Sequence, residues 1–245
     1  MIATDADWKE VRQQLLNEWG GLIHTVYDTA QLQHIHTQIP SSWLRVVDTP
    51  CTTLINEIWS EAKSVLPRFM EYLNQSTWAI AIADGLLGPT LIYYIKDWEE
   101  TQIGQYEPGF MLAGLPTPVE RIRAFEQSMG RIPASLQKLW QVHGFVLIKS
   151  GAILSSLDHS LEEFCGSPTV LGLRKAPSDP QEQYECLAIA DVRSELPVCL
   201  TRTPGFSVWE DFIVLADRDG EEVAPAVRTR IDDLLTDWTF SEWTP

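Results

Sequence analysis

The apolar positions of this chain alternate between helical and strand spacing, and they predict an ordered set of elements. Asp5 or Asp7 can cap a first helix whose Trp8, Val11, Leu15 and Trp19 share one stripe, and Gly20–Gly21 ends it. Residues 28–38 predict a weaker, polar helix. Residues 53–66 predict a stronger one with Leu54, Ile58, Ala62 and Val65 on one face, which Pro67 interrupts or restarts before Phe69–Leu73. Trp78–Ala83 and Leu91–Ile95 flank the turn-rich stretch 84–89, a β-hairpin pattern. Residues 108–118, with three Pro and two Gly, are the candidate linker, although Phe110, Met111 and Leu112 need a surface to pack on.

The segment Thr117–Ser155 carries the densest local pattern. Thr117 followed three residues later by Glu120 fits a capping box, with Pro118 at the first helical position. Val119, Ile122, Phe125 and Met129 follow near helical spacing, and Gly130 can close the helix. Ile132 precedes a proline and belongs to a turn, and Pro133 opens a second helix with Leu136, Leu139, Trp140 and His143 on one face. After Gly144, the runs Phe145–Ile148 and Ala152–Leu154 predict a hairpin about Ser150–Gly151. Farther on, residues 174–183 read as a polar loop. Strands are expected at Leu187–Val192, Val198–Thr201 and Phe212–Ala216, a turn at Asp217–Gly220, and a short helix or irregular segment over 225–236.

The pattern I-x-x-F-E-x-x-x-G-x-I-P-x-x-L-x-x-L-W-x-x-H-G resembles the Smi1/Knr4 (SUKH) superfamily. It is carried by Ile122, Phe125, Glu126, Gly130, Ile132, Pro133, Leu136, Leu139 and Gly144. Gly151 with Ile153 and Leu154, then Leu187–Asp191, Asp219–Gly220 and Thr239–Trp243, stand where that family has its first hairpin, central strand, turn and closing helix. The family usually has Asn before the second helix-ending glycine, where this chain has His143. The resemblance covers the C-terminal half. It implies an α+β fold, with N-terminal helices of the domain packed on a mainly antiparallel sheet over residues 116–245. Residues 1–115 precede it as a helix-rich region with a hairpin, of no recognised type.

Charge shifts attention to function. There are 34 acidic and 18 basic residues, a net charge of −16. Residues 1–115 hold 14 acids and 6 bases and residues 116–245 hold 20 and 12, so each part stands at −8 and no tail holds the excess. Such a field disfavours nucleic acid and anionic membrane surfaces and favours a basic protein, although many soluble proteins are simply acidic. Cys51, Cys165, Cys186 and Cys199 lack C-x-x-C spacing and are expected as reduced thiols. The polar N-terminus has no apolar core of a signal, and no run is long enough to span a membrane, so the cytoplasm is the expected location.

Candidate chemistry is sparse. His34 and His36 lie at i, i+2, which do not share a helix face, and no acid or Cys completes a metal site. Asp158, His159 and Ser160 are adjacent in sequence, whereas a catalytic triad is assembled by the fold. G-x-S-x-G, P-loop and dinucleotide-binding signatures are absent, and Asp217-x-Asp219-Gly220 lacks the rest of a calcium loop. No cofactor and no metal are expected.

Many members of the superfamily that this chain resembles are bacterial immunity proteins that bind and block a cognate toxin, often a nuclease. The resemblance therefore implies an immunity protein, and the acidity fits a basic toxin. The expected contact surface is acids and an aromatic in the strand-and-turn region: Glu182, Glu185, Trp209, Glu210, Asp211, Asp217, Asp219, Glu221 and Glu222. Each acidic pair taken singly also reads as solvated surface, and Trp209 also reads as packing at the edge of the core. Two alternatives stand beside this reading. One is a regulatory scaffold, also implied by the superfamily, and the other is an enzyme using a carboxylate pair.

Overall fold

The amphipathic stripe at the start of the chain forms helix α1 (Asp5–Trp19), which buries Val11 and Leu15. The computed structural model describes residues 5–28, 31–32, 34, 38–100, 106–148, 151–176, 179–192, 196–211, 213–215 and 230–236. These fall into two compact units, Met1–Leu115 and Pro116–Pro245. Each combines helices with antiparallel strands, so the chain is α+β. No helix among the described residues is long and apolar enough to cross a membrane.

In the first unit α1 leads into strand β1 (Ile23–Val26), a 3-10 turn (Trp43–Val47), and helices α2 (Cys51–Ile58) and α3 (Pro67–Ser76). The helix expected over 53–66 stops at Ile58, with turns to Val65, and Pro67 opens the next helix, where its missing N–H costs nothing. The expected hairpin is present as β2 (Thr77–Gly85) and β3 (Thr90–Glu100), paired from Ala83–Thr90 back to Thr77–Ile95. Gly85 is obligatory, because a Cβ there would sit 1.9 Å from the Leu22 carbonyl oxygen of β1's approach.

The expected linker is largely strand. Strand β4 (Tyr106–Gly114) pairs with β3 from Tyr106–Glu100 to Gly114–Thr90. Phe110, Met111, Leu112 and Ala113 are all buried. Burying each of the three larger side chains is worth about 1.5–3 kcal/mol, which outweighs the breaker tendency of the flanking Pro and Gly. The strand order is β1-β2-β3-β4. Its core centres on Trp59, whose indole N–H donates to the Tyr93 hydroxyl at 3.0 Å and whose ring meets Phe69 edge-on.

In the second unit the two helices of the motif are α4 (Val119–Met129) and α5 (Ala134–Val142). The capping box does not form. Pro118 stands at the cap with an extended ψ of 137°, and the Thr117 N–H is taken by the Trp140 carbonyl at 2.8 Å. Gly130 closes α4 with φ of 97°, as its position predicts. Glu126 shapes the turn, its Oε1 accepting the Ile132 N–H at 3.2 Å and Gln137 Nε2 at 2.7 Å.

Strands β5 (Val146–Ile148) and β6 (Gly151–Leu154) form the expected hairpin. A 3-10 turn (His159–Leu161) and the short helix α6 (Glu162–Cys165) follow. The predicted polar loop over 174–183 is instead the junction of two long strands, β7 (Thr169–Ala176) and β8 (Asp179–Val192), paired from Ala176–Asp179 to Thr169–Ala188. Strand β9 (Leu196–Arg202) lies along β8, and β10 (Ile213–Leu215) along β9. Helix α7 (Ile231–Thr236) is the last described element. The expected turn at Asp217–Gly220 and helix at Thr239–Trp243 lie outside the described residues.

Candidate functional site

The residues expected to form a docking surface are brought together in part, and for a different purpose. Arg202, on β9, stands opposite Glu185 of β8, and its Nε donates to the Glu185 carboxylate. Its guanidinium lies 4.2 Å from the centroid of the Trp209 ring. Arg202 Nη1 and Trp209 Nε1 both donate to the Met129 carbonyl at 2.9 Å, at the open end of α4. Trp209 is only 1 % exposed.

The backbone completes this latch. The Arg131 N–H reaches the Ser207 carbonyl at 2.7 Å, the Trp209 N–H reaches the Arg131 carbonyl at 2.8 Å, and Arg131 and Val208 form a parallel bridge. Asp211 accepts from Ser135 Oγ at 2.5 Å, beside the N-terminus of α5 where a carboxylate is favoured.

Of the expected docking residues, Trp209 is thus enclosed, whereas Glu185 and Asp211 are half-buried. Trp209 is core, and the two carboxylates already serve partners within the fold. Of the other expected contacts, Glu210 is half-buried next to the latch, its N–H donating to Thr201. Glu182 lies on β8 with its side chain outside the described set, and Asp217, Asp219, Glu221 and Glu222 lie outside the described residues.

A concave site opens on the other side of α4. A cleft of about 430 Å3 has Ala124, Phe125, Met129, Leu157 and Pro168 as its apolar lining. Its polar lining is Arg121, Ser128, Ser156, Asp158, His159 and Ser167. Arg121 projects from α4, and its Nη1 meets Asp158 Oδ2 at 2.8 Å. Asp158 Oδ1 accepts from Ser160 N–H at 3.1 Å and from Ser160 Oγ at 2.7 Å, capping the 3-10 turn. The Asp158 N–H in turn donates to Ser156 Oγ at 3.0 Å.

The Arg121 guanidinium, followed by the Ser160 hydroxyl, holds the Asp158 carboxyl at about 2, below its ordinary value of 3.8. Both side chains of the pair are half-exposed, at 45 % and 41 %, so the ion pair itself is worth at most about 1 kcal/mol. Ser167 Oγ is shielded from solvent and has no hydrogen-bond partner within the protein. At the rim His159 Nδ1 stands 3.9 Å from Glu162 Oε2.

Sequence reasoning passed over this site because it weighed Asp158, His159 and Ser160 only as a triad. In the fold Asp158 turns to Ser160 and Arg121, and His159 faces Glu162. The recoverable signal was local: Asp158 two residues before Ser160 is an Asx-type cap that fixes a carboxylate at a loop end. His143, expected as a capping or half-buried residue, is fully buried at the end of α5. All four cysteines are buried and none is in a disulfide. Among the described residues no group of three or more His, Cys, Asp or Glu side chains could hold a metal ion. Comparisons with family models, curated proteins and solved structures give no match to this chain.

Proposed function

We propose that this protein is a stoichiometric binder that captures and neutralises a toxic protein with a basic surface, the immunity role implied by its resemblance to the Smi1/Knr4 superfamily. The observation that carries this reading is the charge imbalance. With 34 acids against 18 bases, 16 carboxylates remain unmatched even if every base takes one acid. The described cations are already engaged where the fold is tightest, Arg202 by Glu185 and Arg121 by Asp158. Glu120, Glu162 and Glu163 are exposed. A surface of this sign steers a basic partner into encounter and repels nucleic acid. A nuclease must itself be basic to hold its substrate, which makes that toxin class a fitting target. The protein would act in the cytoplasm, where buried, unbridged thiols persist.

The test is co-expression with the product of the neighbouring gene, which the proposal requires to carry a toxic domain with a basic surface. Cells survive only when this protein is present, and purified components form a 1:1 complex whose association slows about 10- to 100-fold between low and high salt. Survival without a complex, or association indifferent to salt, overturns the proposal. A complex without any effect on survival points instead to a regulatory scaffold.

A further inference from the structure

We infer that the cleft beside α4 receives Phe206 of a second copy of this chain, so that two copies pair by reciprocal insertion about a two-fold axis. The lining selects an uncharged, apolar occupant. Its Arg121 and Asp158 are paired with each other, and Ala124, Phe125, Met129, Leu157 and Pro168 supply the apolar lining. At about 430 Å3 the cleft lies within the range of about 300–1,000 Å3 typical of ligand sites, which leaves room for a whole aromatic side chain. Phe125 and Met129 favour a ring in particular, because aromatic rings pack edge-on or offset against one another and a thioether settles at a ring edge.

The same chain displays a matching knob. Thr203-Pro204-Gly205-Phe206 makes a tight turn, in which the Phe206 N–H donates to the Thr203 carbonyl at 3.1 Å. Pro in the second place and Gly205, at φ of 85°, in the third fit a type II turn. The turn is held from behind, since the Ser207 carbonyl and the Trp209 N–H are both bonded to the Arg131 backbone. Phe206 nevertheless stands 66 % exposed, more than any other large apolar residue described, and Val208 is 51 % exposed. An exposed aromatic on a fixed frame loses little conformational freedom when a partner buries it, which is the property of an interface anchor.

Position makes a second copy the occupant. Knob and cleft share the last turn of α4: Ser128 and Met129 line the cleft, while the Met129 carbonyl anchors Trp209, three residues after Phe206. Phe206 does not line its own chain's cleft, so the insertion comes from another molecule. A two-fold axis beside that turn sets each knob against the other copy's cleft and gives two identical insertions, the self-complementarity that a closed dimer needs. Each copy carries −16, so charge opposes this pairing at long range and apolar contact sustains it. Salt therefore strengthens the dimer, opposite to its effect on a complex with a basic protein.

Sedimentation equilibrium of the full chain, with no toxin present, tests this. The wild type should show a mass that rises with concentration towards two copies in the upper micromolar range, and more so at high salt. Phe206→Ser on the exposed turn and Ala124→Glu at an exposed position of α4 should each weaken association about tenfold or more, with circular dichroism melts unchanged. Mixed together, the two variants should associate more strongly than either alone, because one keeps the cleft and the other keeps the phenylalanine. The inference is overturned by a wild type that stays monomeric, by either variant pairing like the wild type, by a mixture no stronger than its components, or by a dimer that salt weakens. Failure to capture a toxin would remove the proposed function and leave this dimer standing.

Discussion

Replacing Trp209 by Ala separates two roles that the sequence alone left open. The ring is enclosed, stacks on the Arg202 guanidinium and donates to the Met129 carbonyl. Truncating a buried Trp costs about 3–5 kcal/mol. The Met129 carbonyl keeps Arg202 Nη1 as a donor, so no orphaned acceptor adds to that figure. Loss of the stacking on Arg202 accounts for about 1 kcal/mol of it. The expected total is thus about 4 kcal/mol. With a urea slope of about 2–3 kcal/mol per molar, the midpoint should fall by roughly 1.3–2 M. Far-ultraviolet circular dichroism is the suitable probe, because ten tryptophans blur the fluorescence. Should the two units unfold separately, only the transition of Pro116–Pro245 should move. Trp209→Phe, which keeps most of the ring but not the N–H, should lose about 1–2 kcal/mol. A midpoint within roughly 0.3 M of wild type, with binding of the toxin abolished, would refute the assignment of Trp209 to the core and restore it as a contact residue.

Other substitutions probe neighbouring parts of the same unit. Gly130→Ala should cost about 2 kcal/mol in urea melts, since φ is 97° and the new Cβ would lie 2.7 Å from the Ser207 carbonyl oxygen; a neutral result would mean that the latch segment yields freely. Asp211→Lys should destabilise by about 1–3 kcal/mol through the buried Ser135 hydroxyl, whatever it does to association, which a thermal melt of the isolated variant checks. For Asp158, a folded-state pKa depressed to about 2 means stability that is present above 3.8 and lost as pH falls towards 2. With the side chain half-exposed, Asp158→Asn should cost at most about 1 kcal/mol at pH 5 and nothing near pH 2; a difference that persists in acid would refute the ion-pair account.

What the sequence made legible was local. Gly130, Pro133 and the hairpin over Trp78–Ile95 depend on residues within a few positions of one another, and each is where the pattern placed it. Strand β4 was hidden because Pro108, Gly109 and Gly114 signal a break, while the burial that overrides them comes from neighbours distant in sequence. Strand β7 and the start of β8 were hidden because Arg174–Gln183 is polar; backbone pairing, such as Lys175 with Gln183, sustains them regardless. The latch has the same cause. Nothing periodic links Glu185 to Arg202 or Ser135 to Asp211, so a run of acids looked like open surface. The cleft was missed although its cap at Asp158 was written locally, because the partner Arg121 sits on α4, 37 residues earlier in the chain.

The Met129 carbonyl has a consequence for biosynthesis. Its two side-chain donors lie 73 and 80 residues farther along the chain. A ribosome adding about 5–20 residues per second needs roughly 4–16 s to supply them. During that interval α4 and α5 have left the tunnel without their anchor, and their apolar faces wait for a sheet not yet translated. Long-range closures of this kind also slow folding after release. A stop codon placed before Trp209 should therefore yield an insoluble fragment.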